Sequence, residues 1–124
     1  MKNWYWWLLL PIGLILLGGK QLVAAVKDGV DFGGEIKPTT RRIIDACEYV
    51  FGKYGIIPTI TSAVDGTHMA TSKHYTGDAL DWRIWESNQK GVTSSIVEEL
   101  KYYLGSDYDV ILETDHIHIE YDPS

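Results

Sequence analysis

The apolar positions of this chain follow two regimes. Residues Trp4 to Gly19 carry no charge at all, whereas beyond about residue 27 apolar residues recur at the spacings of helices and strands. Ile43, Ile44, Cys47, Val50, Phe51 and Tyr54 return every three or four residues and predict a helix with one apolar face. Pro38 with Thr39-Thr40 opens it, and Gly55 stops it. Residues 55–62 (GIIPTITS) predict a short strand after a turn, Ala63 to Lys73 a loop, and Asp78 to Trp85 a second strand. Another helix starts near Ser94-Ser95, where Ser95 and Glu98 have capping-box spacing. It turns Ile96, Val97, Leu100 and Leu104 inward and ends at Gly105, leaving Glu98 and Glu99 on a solvated face. Tyr108 to Leu112 and His116 to Tyr121 predict two strands around a tight Glu113-Thr114-Asp115 turn. Helix, strands, helix, strands is the order of an α+β domain: a small antiparallel sheet with flanking helices.

The N-terminal regime needs a separate reading. Lys2 precedes the uncharged stretch and Lys20 follows it. A spanning helix needs about 20 apolar residues, and Gln21 to Val26 (QLVAAV) can extend the stretch to that length. Trp4, Tyr5, Trp6 and Trp7 suit the membrane interface. Residues 1–26 are therefore expected to form an N-terminal hydrophobic helix. It serves as a membrane anchor that meets the bilayer through residues 4–19, or as a signal segment with Ala24-Ala25 at its cleavage point. Either role places the rest of the chain on the periplasmic or outer side of a membrane. Residues 27–37, with Gly29, Gly33 and Gly34, read as a linker, and 38–124 as the functional domain.

Composition narrows the function. The chain has 124 residues, enough for one compact domain. Its net charge is -6, and the only adjacent basic pair outside the N-terminus is Arg41-Arg42, so no nucleic-acid partner is expected. The single cysteine, Cys47, excludes an internal disulfide and a cysteine-rich zinc site, and its place on an apolar helix face marks it as a buried thiol. Any metal must be held by histidines and carboxylates.

Three of the four histidines lie in two short segments, SKHYTGDALD (72–81) and ETDHIH (113–118). A catalytic zinc takes three protein ligands of nitrogen or oxygen type and keeps one position open. His74, Asp81 and one histidine of the second segment supply such a set, with Gly77 allowing a turn between the first two. His116 and His118 share one face of a strand, while Ile117, Ile119 and Tyr121 occupy the other. Trp82 and Trp85 are expected to pack as core, and His68 reads as a loop or site-rim residue.

SKHYTGDALDWR followed by LETDHIHIEYD, with TITSAVDGTHMATS before them, resembles the D-alanyl-D-alanine carboxypeptidase family of zinc peptidases. That family shares its fold with the Hedgehog signalling domain and includes phage endolysins. The resemblance covers about Pro38 to Tyr121. It implies a Hedgehog/DD-peptidase-like fold, Zn2+ held by His74, Asp81 and His118, a general base at Asp115, and transition-state support from His116. Ser72 and Arg83 are the implied substrate contacts. Were His116 the ligand instead, Glu113 would take the place of the base. The implied activity is hydrolysis of peptide bonds in peptidoglycan, in the stem peptide or cross-bridge, by a carboxypeptidase or endopeptidase route. Many members carry an arginine upstream of the first ligand; residues 58–73 have none, which leaves His68 or Arg83 to replace it. The alternative is a zinc-containing binding module of the same fold with little turnover.

Overall fold

The computed structural model describes residues 16–17, 20–21, 24–66 and 72–123. Two short strands, β1 (Leu16–Leu17) and β2 (Lys20–Gln21), pair antiparallel by themselves. The domain then runs β3 (Ala25–Val26), α1 (Pro38–Gly52), β4 (Thr59–Ser62), β5 (Ala79–Arg83), α2 (Trp85–Lys90), α3 (Thr93–Leu104), β6 (Tyr108–Leu112) and β7 (His116–Tyr121). It is an α+β fold built on a five-stranded sheet in the order β3-β4-β5-β7-β6.

The alternation along the central strands decides how the layers stack. On β5 and β7, Leu80, Trp82, Ile117 and Ile119 are fully or almost fully buried. They meet the apolar stripe of α1 (Ile43, Ile44, Cys47, Val50, Phe51) and that of α3 (Ile96, Val97, Leu100, Leu104) in one core cluster. Phe51 lies over Trp82 with ring centroids 6.5 Å apart. Cys47 is buried in this cluster, as its helix face predicts. The helices are also pinned to each other at their ends: Glu99 accepts from Tyr54 and pairs with Lys53, and Arg42 donates to the Tyr103 carbonyl at 3.1 Å. Glu99 is thus a cross-link between helices, not part of a solvated face.

Several expectations need correction. The sheet is mixed, because β3 runs parallel to β4 while every other pair is antiparallel. Ala25 N–H donates to Pro58 O and Lys27 N–H to Ile60 O, which covers what would otherwise be an open edge of β4. Most of the expected N-terminal hydrophobic helix lies outside the described residues. Where it is described, at 16–17, 20–21 and 25–26, the backbone is strand; Gly18-Gly19 interrupts helix propensity in the sequence at that point. No helix among the described residues is long and apolar enough to cross a membrane.

Residues 27–37 are a packed strap rather than a loose linker. Val30, Phe32 and Ile36 lie on the core, and Val64 N–H donates to Asp31 O. Helix α2 is too short to show a period, and Trp85 at its start is 64% exposed, not core. Finally, α3 begins at Thr93 with no side-chain cap, so Ser95 already sits inside the helix. Its first turn is tied instead to α2 through the Thr93 and Ser87 hydroxyls, 2.7 Å apart.

Truncating the core and the surface should have sharply different costs. Phe51→Ala is expected to lower unfolding stability by about 3–5 kcal/mol in chemical denaturation. Tyr102→Ala, at a side chain that is almost wholly exposed, should change it by less than about 0.5 kcal/mol.

Candidate metal centre

The face of the sheet turned away from the helices carries the polar residues. Register pairs Asp81 with His118 and Arg83 with His116 across β5 and β7, so these four side chains share that face. His74 comes from the turn before β5. Its position is fixed locally: Gly77, in the left-handed region at φ 76°, closes the turn, and Asp78 N–H donates to Lys73 O at 2.9 Å. The first turn of α1 then holds the loop, with Thr40 Oγ1 donating to Gly77 O at 2.6 Å and Lys37 Nζ pairing with Asp78 at 3.0 Å.

These elements bring His74 Nε2, Asp81 Oδ1 and His118 Nδ1 into a nearly equilateral triangle. The nitrogens are 3.1 Å apart, and Oδ1 lies 3.1 Å from one and 3.0 Å from the other. His74 is 2% exposed and Asp81 7%. The outer nitrogens of both rings are engaged with acceptors. His74 Nδ1 donates to Ala63 O at 2.6 Å, and His118 Nε2 donates to Glu120 Oε1 at 2.7 Å. With those outer nitrogens carrying the protons, the inner nitrogens of the neutral rings present lone pairs toward each other and toward a carboxylate. Three electron-rich atoms this close, on two buried residues and one partly buried, form a setting that a cation, a proton or a metal ion, could occupy.

The donor set fits a metal ion. Bonds of about 2.0–2.1 Å to a four-coordinate ion need donors about 3.3–3.4 Å apart, close to what is already assembled. The backing of each ring by a carbonyl or carboxylate is the usual second layer around metal-binding imidazoles. His74, Asp81 and His118 are therefore a buried cluster able to hold a metal ion.

Proton energetics agree with this arrangement. Burial opposes the charge on Asp81, yet hydrogen bonding with His118 and His74 when a proton occupies the inner triangle, with the nearby His74 and His116 rings, holds its carboxyl well below the usual carboxylate range. Burial also works against a charged His118, but its bonds to Asp81 and Glu120 outweigh that and raise its pKa above the ordinary 6.5.

The remaining candidates separate around this centre. His116 stays outside the triangle: its Nε2 lies 3.6 Å from Asp81 Oδ1, and its Nδ1 donates to Asp115 Oδ1 at 2.6 Å. Of the two histidines on β7, His118 is the one in the cluster. Asp115, His116, Asp81, Arg83, Trp85, Thr61 and Lys27 line an open groove of about 400 Å3. Glu113 is exposed and does not line it. The Ser72 hydroxyl accepts from the His74 backbone N–H at 3.1 Å, bracing the ligand turn. His68 lies outside the described residues.

Three supporting groups escaped the sequence reading. Glu120 continues the two-residue alternation of His116 and His118, so its place behind His118 was legible. The Ala63 carbonyl has no side-chain signature. Asp65 Oδ1 accepts from the Asp31 and Ala63 N–H groups at 3.0 and 2.9 Å, fixing the loop that offers that carbonyl. No family model, curated protein or solved structure matches the chain.

Metal removal should therefore be visible in stability. At 100-fold excess over its Kd, a bound ion adds about 2.7 kcal/mol to unfolding, a gain that chelator should abolish. Glu120→Gln should weaken metal affinity about 10–100-fold in a competition titration, because it loosens the His118 ring. The pH slopes of the two forms should oppose each other. In metal-free protein the raised His118 pKa contributes stability that is full below about pH 6.5 and fades as pH rises through the folded value. Metal binding needs the neutral ring, so loaded protein should gain stability over the same interval. Thermal melts from pH 5 to 9, with and without chelator, measure both slopes.

Proposed function

We propose that the chain is a zinc-dependent peptidase that hydrolyses peptide bonds of bacterial cell-wall peptidoglycan. The observation that carries this reading is the juxtaposition of a buried two-histidine, one-aspartate donor set with an Asp115–His116 pair in an open groove. Zinc suits the donor set, since imidazole and carboxylate ligands with a position left for water are its catalytic pattern. When bound, it supplies Lewis acidity toward water and a peptide carbonyl. The resemblance of residues 38–121 to the D-alanyl-D-alanine carboxypeptidases supplies the substrate class and the Hedgehog/DD-peptidase-like assignment of the fold.

This chain's own groups account for the proton traffic. Asp115 Oδ1 holds the Nδ1 proton of His116, which leaves Nε2 as the basic atom turned toward the centre. His116 Nε2 accepts a proton from the attacking water and returns it to the leaving amine as the carbon–nitrogen bond breaks. Asp115 orients the ring and stabilises its charged form. Hydroxide adds to the carbonyl carbon, the amine departs with the returned proton, and a carboxylate remains. This divides the base role expected of Asp115 between two residues. Residues 4–19 would tether or export the chain, placing the groove on the side of the membrane where the wall lies.

The decisive measurement is mass spectrometry of purified peptidoglycan after incubation with full-length protein, with and without chelator, alongside the zinc content of the protein. New wall peptides that depend on metal support the reading. Stoichiometric zinc without cleavage of any stem or cross-bridge peptide rejects it in favour of a binding module. His74→Ala should lose both zinc and cleavage. His116→Ala should keep its zinc while kcat/KM falls about 10²–10⁴-fold.

A further inference from the structure

We propose that the outer edge of β6 docks an extended basic peptide segment, which joins the sheet as a further antiparallel strand. β6 ends the strand order β3-β4-β5-β7-β6, and no described strand pairs with its outer side. Its phase against β7 is fixed at both ends: Glu113 N–H donates to His116 O and Asp122 N–H to Asp107 O, each at 2.8 Å. Alternation between these two pairs turns the backbone groups of residues 107, 109, 111 and 113 toward β7. Those of Tyr108, Val110 and Leu112 therefore face outward. Tyr108 N–H turns back to Gly105 O at 3.3 Å, whereas no described backbone group bonds those of Val110 and Leu112. These two residues present an N–H and a C=O each along an open edge.

The edge lacks the usual guards. β6 holds no proline or lysine, its register with β7 runs without a bulge, and Ile111 and Leu112 are exposed. Negative charge surrounds it instead. Residues 107–122 contain Asp107, Asp109, Glu113, Asp115, Glu120 and Asp122 but no lysine or arginine. Among the described residues, Lys73 is the only lysine or arginine paired with any of them, at 3.5 Å from Asp122. Burial, and then the charges of Glu120 and Asp122, raise the pKa of Asp109 above its ordinary value. An added positive charge would be welcome there.

That charge selects the occupant. A second copy laid antiparallel on this edge would set Glu113 opposite Asp107 or Asp109, like charge on like. A segment that pairs with Val110 and Leu112 places its other side chains opposite Asp109, Ile111 and Glu113, where paired strands approach most closely. Those positions fall two residues apart, so the matching pattern is basic–x–apolar–x–basic. Backbone bonds supply the affinity and the alternate side chains the selectivity. β6 does not line the groove beside the metal ligands, so the site is independent of the peptidase reading.

The test titrates fluorescein-labelled Thr-Lys-Thr-Val-Thr-Lys-Thr-amide into full-length protein, read by anisotropy and by amide hydrogen exchange. The peptide should bind, slow exchange at the Val110 and Leu112 N–H groups, and weaken as salt is raised. Glutamate in place of both lysines should weaken binding at least about tenfold. N-methylation of the two threonines that flank the valine removes the N–H groups aimed at β6 and should weaken it comparably. Asp109→Lys should remove most of the preference for lysine over glutamate. Leu112→Pro, which deletes one outward N–H and leaves the β7 ladder intact, should lose the peptide while circular dichroism shows an unchanged fold. No binding, equal binding of the lysine and glutamate peptides, or undiminished binding of the N-methylated one would each overturn the proposal. So would self-association that protects the same two amides without peptide, which would assign the edge to a second copy.

Discussion

Everything distinctive about this protein follows from one strand pairing, the register that sets Asp81 of β5 opposite His118 of β7. Because side chains alternate along a strand, a slip of one residue would send both ligands into the helix-covered core and bring Trp82 and Ile117 to the surface. The apolar face prevents that slip. Trp82, Ile117 and Ile119 are completely buried under α1 and α3, so the hydrophobic layer locks the register that the polar layer uses. Stability and chemistry are two faces of the same pair of strands.

The third ligand is held by a different kind of force. His74 lies on a turn, where no sheet register can place it, and a chain of polar contacts does the work instead. Thr40 and Lys37 hold the turn from the start of α1, while the Ala63 carbonyl orients the ring from the opposite side. Burying a carboxylate and two imidazoles is costly unless each is paired. The outer partners satisfy one end of each imidazole, but the inner triangle is balanced only by a positive charge. A metal ion bound there would couple its occupancy to folding and compete with a proton for the same atoms.

Much of this was legible in the sequence. The start of α1 and the limits of β6 and β7 follow from apolar period and turn residues, while α1 ends at Gly52, short of the expected stop at Gly55. His74 and Asp81 also stand out, within eight residues around Gly77, but spacing left the third member of the cluster open between His116 and His118, and His118 was named only through the family resemblance. What escaped the reading had no local signature. β3 is a two-residue strand defined only by the edge of β4, so Ala25 and Val26 read as an extension of the apolar N-terminus. Val30, Phe32 and Ile36 are spaced among glycines without a period, and their packing is set by tertiary contact. The pairing of Asp115 with His116 is a rotamer fact that no pattern of residue types encodes.

That pairing also explains why the site is built in two halves. The triangle is largely buried, with His74 and Asp81 almost wholly enclosed. Asp115, by contrast, has a side chain that is 83% exposed, and His116 lies between it and the buried ligands. In the proposed reaction the group that exchanges protons would have to be reachable and to carry charge at modest cost, which solvent permits and burial does not. Of the two carboxylates considered for the proposed base, Asp115 lines the groove beside His116, whereas Glu113 does not. With His118 in the cluster and His116 in the open groove, two residues apart on one face of β7, the proposed function would draw on a sheltered half and a solvent-facing half of the same strand.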